Sequence, residues 1–486
     1  MVISEGGETQ YFCSIITNET AKMKMTSDTS PVISPEALIQ KYNVSAPRYT
    51  SYPTVPFWDK AAPTAAQWFE VVEKTFSESN ATKGISLYLH LPFCESLCTY
   101  CGCNTRITKN HGVEQGYIET LLAEWQQYLN HFSEKPIIRE LHLGGGTPTF
   151  FSPENLKLLM EGIFATAEIH PEREFSFEGH PNNTTAEHLQ TLYDLGFRRV
   201  SFGIQDFDPL VQLTINRIQP FENVLRATQD ARRIGYESVN FDLIYGLPHQ
   251  TLASVAETID LAGQLKPDRI AFYSYAHVPW VKPSQRGYSE KDLPSGPAKR
   301  ALYELGLEKL KALGYHDIGM DHFALPNDAL FLAQQNGTLH RNFMGYTTCH
   351  TDLLIGLGAS SISDAKYGYL QNLKKVEEYK AGIAAGDLAI LKGHLLTPED
   401  LIRKEAILDI ACKGELELHR DIAFLLDDQT REALLEMEDE GLITFRARSL
   451  VVTPQGQPFI RNICMLFDQK VKQTQQEFST TFSKAI

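Results

Sequence analysis

Between Ile85 and Ala276 the apolar and polar positions follow two rhythms in turn. Short β-rich runs occur at ISLYLHL (85–91), RELHLGG (139–145), EFSFEG (174–179), RVSFGIQ (199–205), SVNFDLIYG (238–246) and RIAFYSYA (269–276). Between them lie stretches with helical spacing, such as YIETLLAEWQQYL (117–129), ENLKLLMEGIFATA (154–167), AEHLQTLYDLG (186–196) and VLRATQDARRIG (224–235). Several of these end in Gly before the next strand, as a helix C-cap does. Six strand–helix units in series predict an α/β fold with a parallel sheet and right-handed crossovers. Six units are too few for the closed eight-fold barrel, so an open, partial barrel is expected, with ligands at the C-terminal ends of the strands. The Gly-rich and Cys-rich motifs fall at those ends.

The flanks differ in texture. Residues 1–35 are polar and lack a basic start followed by an apolar run, so they read as a disordered extension rather than a secretory signal. Residues 36–84 read as an N-terminal arm that covers substrate, 85–395 as the barrel with its C-terminal extension, and 396–486 as a small, mostly helical domain. That last domain carries LIRKEAILDIAC and REALLEMEDEGLI, and ends in a short strand pair near Ile443 to Thr453.

Composition narrows the function classes. The 486 residues are 43% hydrophobic and 22% charged, with a formal net charge of -15, so a basic nucleic-acid surface has no support. No stretch approaches the ~20 apolar residues that cross a bilayer. Four of the eight cysteines lie within ten positions, which points to a reducing, cytoplasmic setting and a metal site.

That cluster is Cys94-Glu-Ser-Leu-Cys98-Thr-Tyr-Cys101-Gly-Cys103, directly after the first strand. Thiolates suit iron–sulfur clusters or zinc, and one short loop can wrap three of them around a single cluster, leaving one iron open to a substrate or cosubstrate. A four-Cys zinc site that adds Cys103 is the alternative, although such sites usually pair two separated knuckles.

The C-x3-C-x2-C loop after a first strand resembles the radical S-adenosylmethionine (SAM) superfamily, whose fold is a partial (β/α)6 barrel. Within it the chain resembles the oxygen-independent coproporphyrinogen III oxidase family from about Leu38 to Asp468. The matching motifs include Pro47-Arg-Tyr-Thr-Ser-Tyr-Pro53, Tyr88-x-His-x-Pro-Phe-Cys94, Gly144-Gly-Gly-Thr-Pro-Thr149, Gly203-x-Gln-Asp-Phe207, Asp242-Leu-Ile-Tyr-Gly-Leu-Pro248, Gly319-Met-Asp-His-Phe-Ala324 and Arg461-Asn-Ile-Cys-Met465. The resemblance implies that Cys94, Cys98 and Cys101 hold a 4Fe-4S cluster whose open iron takes up SAM. One electron then cleaves SAM to a 5'-deoxyadenosyl radical, which takes a hydrogen from a propionate; loss of carbon dioxide leaves a vinyl group. Two such events would convert coproporphyrinogen III to protoporphyrinogen IX in haem biosynthesis. A haem-binding chaperone and a haem-degrading radical enzyme of similar sequence are the alternatives.

By the same resemblance Gly145, Gly146, Thr147 and Glu178 meet SAM, with Tyr88 and Gly145 on the first SAM molecule, and Tyr100, Gln205, Arg217, Asp242, Ala276 and Ile362 line a second SAM site. On their own chemistry, glycines let a backbone approach a polar ligand, and a carboxylate offers acceptors to paired ribose hydroxyls. The substrate carries four carboxylates, and Arg48, Arg106 and Arg341 are the candidate bidentate partners, Arg106 being equally readable as a surface charge. Many family members continue Glu-x-Asp-Pro-Arg where this chain has Glu178-Gly-His180-Pro-Asn182. Cys349, in Tyr346-Thr-Thr-Cys-His-Thr-Asp352, stands where the family often has Gln, and a thiol beside a radical pocket would be a hazard or a gate. Cys412 and Cys464 read as core thiols. The expected partners are coproporphyrinogen III and a low-potential electron donor, with no nucleic acid and no membrane, and the chain is expected to be a monomer.

Overall fold

The computed structural model describes residues 33–446 and 448–474, so the expected extension through residue 32, with Cys13, lies outside the described residues. The chain divides into two compact units. One comprises Asp59–Ala333 and Thr348–Leu395; the other comprises the residues up to Trp58, Gln334–Thr347 and the residues from Leu396 on. The division therefore falls inside the 36–84 segment, and the helix Ala65–Lys83 (α1) goes with the larger unit.

The larger unit is built on β1 (Ile85–Leu91), β2 (Ile137–Gly145), β3 (Glu168–Gly179), β4 (Arg199–Gln205), β5 (Ser238–Tyr245) and β6 (Arg269–Ser274). These pair in parallel and in chain order. The crossovers carry α2 (Val113–Leu129), α3 (Pro153–Phe164), α4 (Ala186–Asp194), α5 (Phe221–Ile234) and α6 (Leu252–Leu265). A doubly wound sheet reverses its strand order at a switch point and puts helices on both faces; sequential order with crossovers of one hand puts them all on one face. Successive side chains of a strand point to opposite faces. Leu87, Leu89, Leu141, Leu143, Phe175, Phe177, Val200, Phe202, Val239 and Phe241 bury one face in a single core with helix residues such as Trp125, Leu159, Leu192 and Ile259. The alternate positions, including Tyr88, His90, His142, Ser176, Glu178, Ser201, Asn240 and Asp242, form a polar inner face.

The sheet is open, because β1 and β6 do not pair with each other. β6 instead takes the antiparallel hairpin of β7 (His316–Gly319) and β8 (His322–Ala324). On the other side β9 (Leu353–Leu357) runs parallel to β1 and is followed by antiparallel β10 (Ile362–Ala365), β11 (Gly368–Asn372) and β12 (Ile390–Leu395), giving twelve strands where the pattern predicts six. The added strands are short, and β9 and β11 are buried at every position, so they carry no alternation to read. β3 also starts six residues before its expected position, because its first half, EIHPER, is mostly polar and has no buried position.

In the smaller unit the arm from Asn43 to Trp58 is stitched into the C-terminal part. Arg461 donates to the carbonyls of Ala46 and Pro47, Asn462 donates to the Tyr42 carbonyl at 2.9 Å, and the Tyr49 hydroxyl donates to Asp468 at 3.1 Å. The hairpin His340–Asn342/Gly345–Thr347 joins them through Arg341, whose Nε donates to the Arg48 carbonyl at 3.0 Å. The helices Pro398–Lys413 and Asp428–Asp439 accompany a three-stranded sheet, with Glu415–Glu417 added to the expected pair Ile443–Arg446 and Ser449–Val452. Cys412 and Cys464 are buried, in keeping with their apolar helical context. Among the described residues no helix is long and apolar enough to cross a membrane.

Candidate active site

The cysteine loop leaves β1 at its C-terminal end and is closed at its base. The Arg106 and Thr108 N–H groups donate to the carbonyls of Pro92 and Cys94 at 2.7 and 2.9 Å. Its crest is held by the crossover after β4 and the segment after β6: Thr99 N–H donates to the Ile215 carbonyl, Asn216 to that of Leu97, and Gln285 to that of Tyr100. His90, on the inner face of β1, pairs through Nε2 with the Asn104 carbonyl at 2.9 Å. Ring orientation in β1 thereby fixes the exit of the loop.

The three thiols occupy unlike surroundings. Cys94 lies 3.4 Å from the Thr147 hydroxyl, and burial pushes its thiol up to about 11. Cys98 accepts from Arg217 Nη1 at 3.5 Å. Cys101 is brought down to about 6, first by a hydrogen bond from the Cys103 thiol and further by the charges of Lys282 and Arg217. Cys103, adjacent in space to Cys101, therefore supports a thiolate there.

Opposite the loop, β2 ends in Gly144–Gly146. Gly145 has φ of +116°, and a Cβ there would meet the His90 ring at 2.8 Å; a Cβ on Gly146 would lie 2.5 Å from the Pro92 carbonyl oxygen. Only glycine lets this backbone run so close to the start of the cysteine loop. Gly145 N–H donates to Glu178 Oε2 at 3.1 Å, and His142 Nε2 lies 3.6 Å from Oε1. Burial pushes the Glu178 carboxyl up, but the contacts with His142 and the Gly145 N–H outweigh it, and the group sits below its ordinary value. Asp242 is the reverse case. Burial and then the charge of Glu178 raise it to about 6, although Asn240 and Ser201 donate to it at 2.9 and 3.1 Å.

These groups share one cavity of ≈ 630 Å³ at the C-terminal ends of the strands. Cys94, Cys98, Cys101, Tyr100, Gly145, Gly146, Thr147, Glu178, Gln205, Arg217 and Asp242 all line it. A matching model of the radical SAM superfamily covers residues 88–262, which span the loop and all of these positions. The oxygen-independent coproporphyrinogen III oxidase of Pseudomonas aeruginosa is 39% identical over 442 residues, 89% of this chain and 95% of that protein. The enzyme of the same name from Escherichia coli K12 is 37% identical, covering 91% of this chain and 97% of its own. The solved structure of the Escherichia coli coproporphyrinogen III oxidase, described as a radical SAM enzyme, superposes with a TM-score of 0.83 at 33% identity over 91% of this chain and 100% of that one. The chain belongs to the oxygen-independent coproporphyrinogen III oxidase family.

The residues present fit the groups that this family implies. Three thiols on one loop border a cavity that also exposes the glycine backbone, and buried Arg217 Nε has no partner there among the described residues. Tyr88 is not among the residues that line the cavity: its hydroxyl pairs with His90 Nδ1 at 3.1 Å and its ring stacks on His142. Ala276 is held by its carbonyl, which accepts from the same Gln285 amide that fixes Tyr100. Ile362 lies in β10 against Gly356, the residue opposite Tyr88, and is outside the cavity lining.

Of the arginine candidates, Arg106 is exposed and pairs with Glu377 at 3.0 Å, the surface-charge alternative. Arg48 and Arg341 belong to the smaller unit, where Arg341 is buried beside Tyr346. Cys349 does not line the cavity. It is buried near Glu174 and Glu140, on the early part of the strands, so the picture of a thiol beside the reaction pocket is corrected. Sequence reasoning passed over His90, Ser201 and Tyr273. Period two was the available signal, since His90 follows Tyr88 by two and Ser201 precedes Gly203 by two.

Proposed function

We propose that this chain is a radical-SAM oxidoreductase that decarboxylates two propionates of coproporphyrinogen III to vinyl groups without oxygen, yielding protoporphyrinogen IX for haem biosynthesis. The observation that carries the reading is the convergence of Cys94, Cys98 and Cys101 with Gly145, Gly146 and Glu178 on one cavity. When bound, a 4Fe-4S cluster and SAM supply a carbon-centred radical able to take a hydrogen atom from an unactivated propionate carbon.

The chain's own part is binding, orientation and electrostatics. The three cysteines hold the cluster, and Cys103 assists by donating to Cys101. The bare backbone at Gly145 and Gly146 admits the polar half of SAM, while Glu178, kept ionised, accepts from its ribose hydroxyls. Gln205, Arg217, Asp242 and Tyr100, which line the same cavity, would hold a second SAM. Buried Asp242, raised to about 6, is there chiefly an acceptor at neutral pH and gains a proton only as the pH falls toward 6. The protein acts in the cytoplasm as a monomer and receives its electrons from a low-potential donor.

The experiment is anaerobic turnover of reconstituted protein with coproporphyrinogen III, SAM and a low-potential reductant, with protoporphyrin IX measured after oxidation of the product. Formation of protoporphyrin that stops in Cys101→Ser supports the reading. Haem binding or haem loss without any protoporphyrin would instead favour the chaperone or haem-degrading alternatives.

A further inference from the structure

The turn after β3 carries a side chain that the site described above does not use. The main chain at His180 is pinned: its carbonyl accepts from Asn183 N–H, Thr184 N–H and the Thr184 hydroxyl at 2.9, 2.9 and 3.0 Å. Its ring is pinned as well, because Asn182 N–H donates to Nδ1 at 3.2 Å. Asn182 in turn donates to the Ile218 carbonyl at 2.9 Å, tying this turn to the segment that bears Arg217. A ring nitrogen that accepts is unprotonated, so the proton of neutral His180 resides on Nε2. Nε2 has no partner among the described residues, and His180 lines the same cavity as Glu178 and Arg217.

Burial, and then the charge of Arg217, depress the imidazole to about 2, so it is neutral at any working pH. Arg217 has the complementary deficit. Its Nη1 donates to Cys98 and its Nη2 to the Gly203 carbonyl, but its buried Nε has no acceptor among the described residues. Buried donors are almost always satisfied. Two unmet donors on adjoining segments, one of them on a cation, therefore call for a shared anionic acceptor.

We infer that His180 is a ligand-binding residue of this cavity, its Nε2–H and Arg217 Nε together receiving a carboxylate. The inference rests on the proposed function, which offers two sources of that group: the amino-acid end of SAM and a propionate of the substrate. Glu178 and Asp242 lie on the strand ends of the same cavity, so its wall is polarised, with acceptors for hydroxyl or ammonium groups on one part and donors for a carboxylate on another.

The test compares wild type with His180→Phe, which removes the donor, and His180→Gln, which keeps an amide donor. Iron and sulfide content equal to wild type controls for folding. The readouts are anaerobic affinities for S-adenosylhomocysteine, for 5'-methylthioadenosine, which lacks the amino-acid end, and for coproporphyrinogen III. A loss of about tenfold or more for S-adenosylhomocysteine in His180→Phe, with methylthioadenosine unchanged and His180→Gln largely restored, assigns the SAM carboxylate. The same loss for coproporphyrinogen III alone assigns the propionate. Unchanged affinity for both in His180→Phe overturns the inference, whereas wild-type protein that binds neither ligand overturns the proposed function itself.

Discussion

Replacing Glu178 by Gln separates SAM binding from cluster assembly. Cluster formation needs the three thiolates, so iron and sulfide content should match wild type. The amide oxygen can still accept from Gly145 N–H, which now bonds to Oε2 at 3.1 Å, so the glycine loop keeps its tie to β3. What changes is the rest of the group, whose side chain is 44% exposed toward the cavity. There a charged acceptor becomes a neutral donor, and a ribose hydroxyl pair wants acceptors. A hydrogen bond to a charged group contributes ~1.5–3 kcal/mol, which predicts a loss of SAM affinity of roughly 10- to 150-fold. The pH dependence follows from the direction of the shift. A carboxylate held below its ordinary value stays ionised until the pH falls beneath that range, so wild-type affinity should show no inflection from Glu178 between roughly pH 6 and 8. Anaerobic titration of both proteins with SAM decides the matter. Unchanged affinity would remove Glu178 from the site, and loss of iron and sulfide would move its role to the cysteine loop through Gly145.

Serine at Cys94, Cys98 or Cys101 should abolish cluster absorbance and SAM cleavage, whereas Cys103→Ser should keep the cluster; if Cys103→Ser loses it as completely as Cys101→Ser, three-ligand binding is wrong. Gly146→Ala places a Cβ 2.5 Å from the Pro92 carbonyl oxygen, a clash with backbone that cannot rotate away, so cluster yield on reconstitution should drop with little change in the far-ultraviolet spectrum. Normal yield would show that the loop can shift. Tyr379→Phe removes the hydroxyl that donates to buried Glu124 at 2.5 Å. Burial has already raised Glu124 to about 7, and losing the donor raises it further, so the cost falls on the charged form. The variant should lose ~1–3 kcal/mol of stability at alkaline pH and progressively less as the pH falls below about 7, read from denaturation midpoints; equal losses at both ends would refute this.

Much of the barrel was legible because its six central strands alternate and its helices end in glycine, and both signals are local. The cysteine loop was legible because thiolate spacing is a chemical constraint on a single short segment. Less could be read where the determining contact is distant in sequence. Nothing near Arg461 or Asn462 says that their partners are the carbonyls of Pro47 and Tyr42, so the arm read as a cover rather than as part of the smaller unit. β9 and β11 were unreadable for another reason: continuous burial erases the alternation that marks a strand, while β10 has only four residues. His180 was visible as a departure from the family's Glu-x-Asp-Pro-Arg pattern, but its tautomer depends on the turn geometry, which the sequence does not display.

The inner face of the barrel holds carboxylates at both ends, and their roles diverge according to what the chain places against them. On the early part of the strands Ser86, Glu140 and Glu174 share one rung of the register. Ser86 donates to Glu140 at 2.7 Å and meets Thr351 at 2.6 Å, while Arg199 and the Thr348 hydroxyl both donate to Glu174. The segment 348–351 thus supplies the partners that a ligand supplies at the other end, where Glu178 and Asp242 face the cavity. Cys349 lies within this closed end, 3% exposed, its thiol pushed up first by burial and then by the charges of Glu174 and Glu140. A thiol nucleophile must be both accessible and ionised. Cluster-free protein treated anaerobically with iodoacetamide under native conditions should therefore be alkylated at Cys101 well before Cys349, with peptide mapping by mass spectrometry as the readout. Cys349 modified as fast as Cys101 would mean that the 348–351 segment opens in solution, and the separation between a closed charged end and an open reactive end would fail.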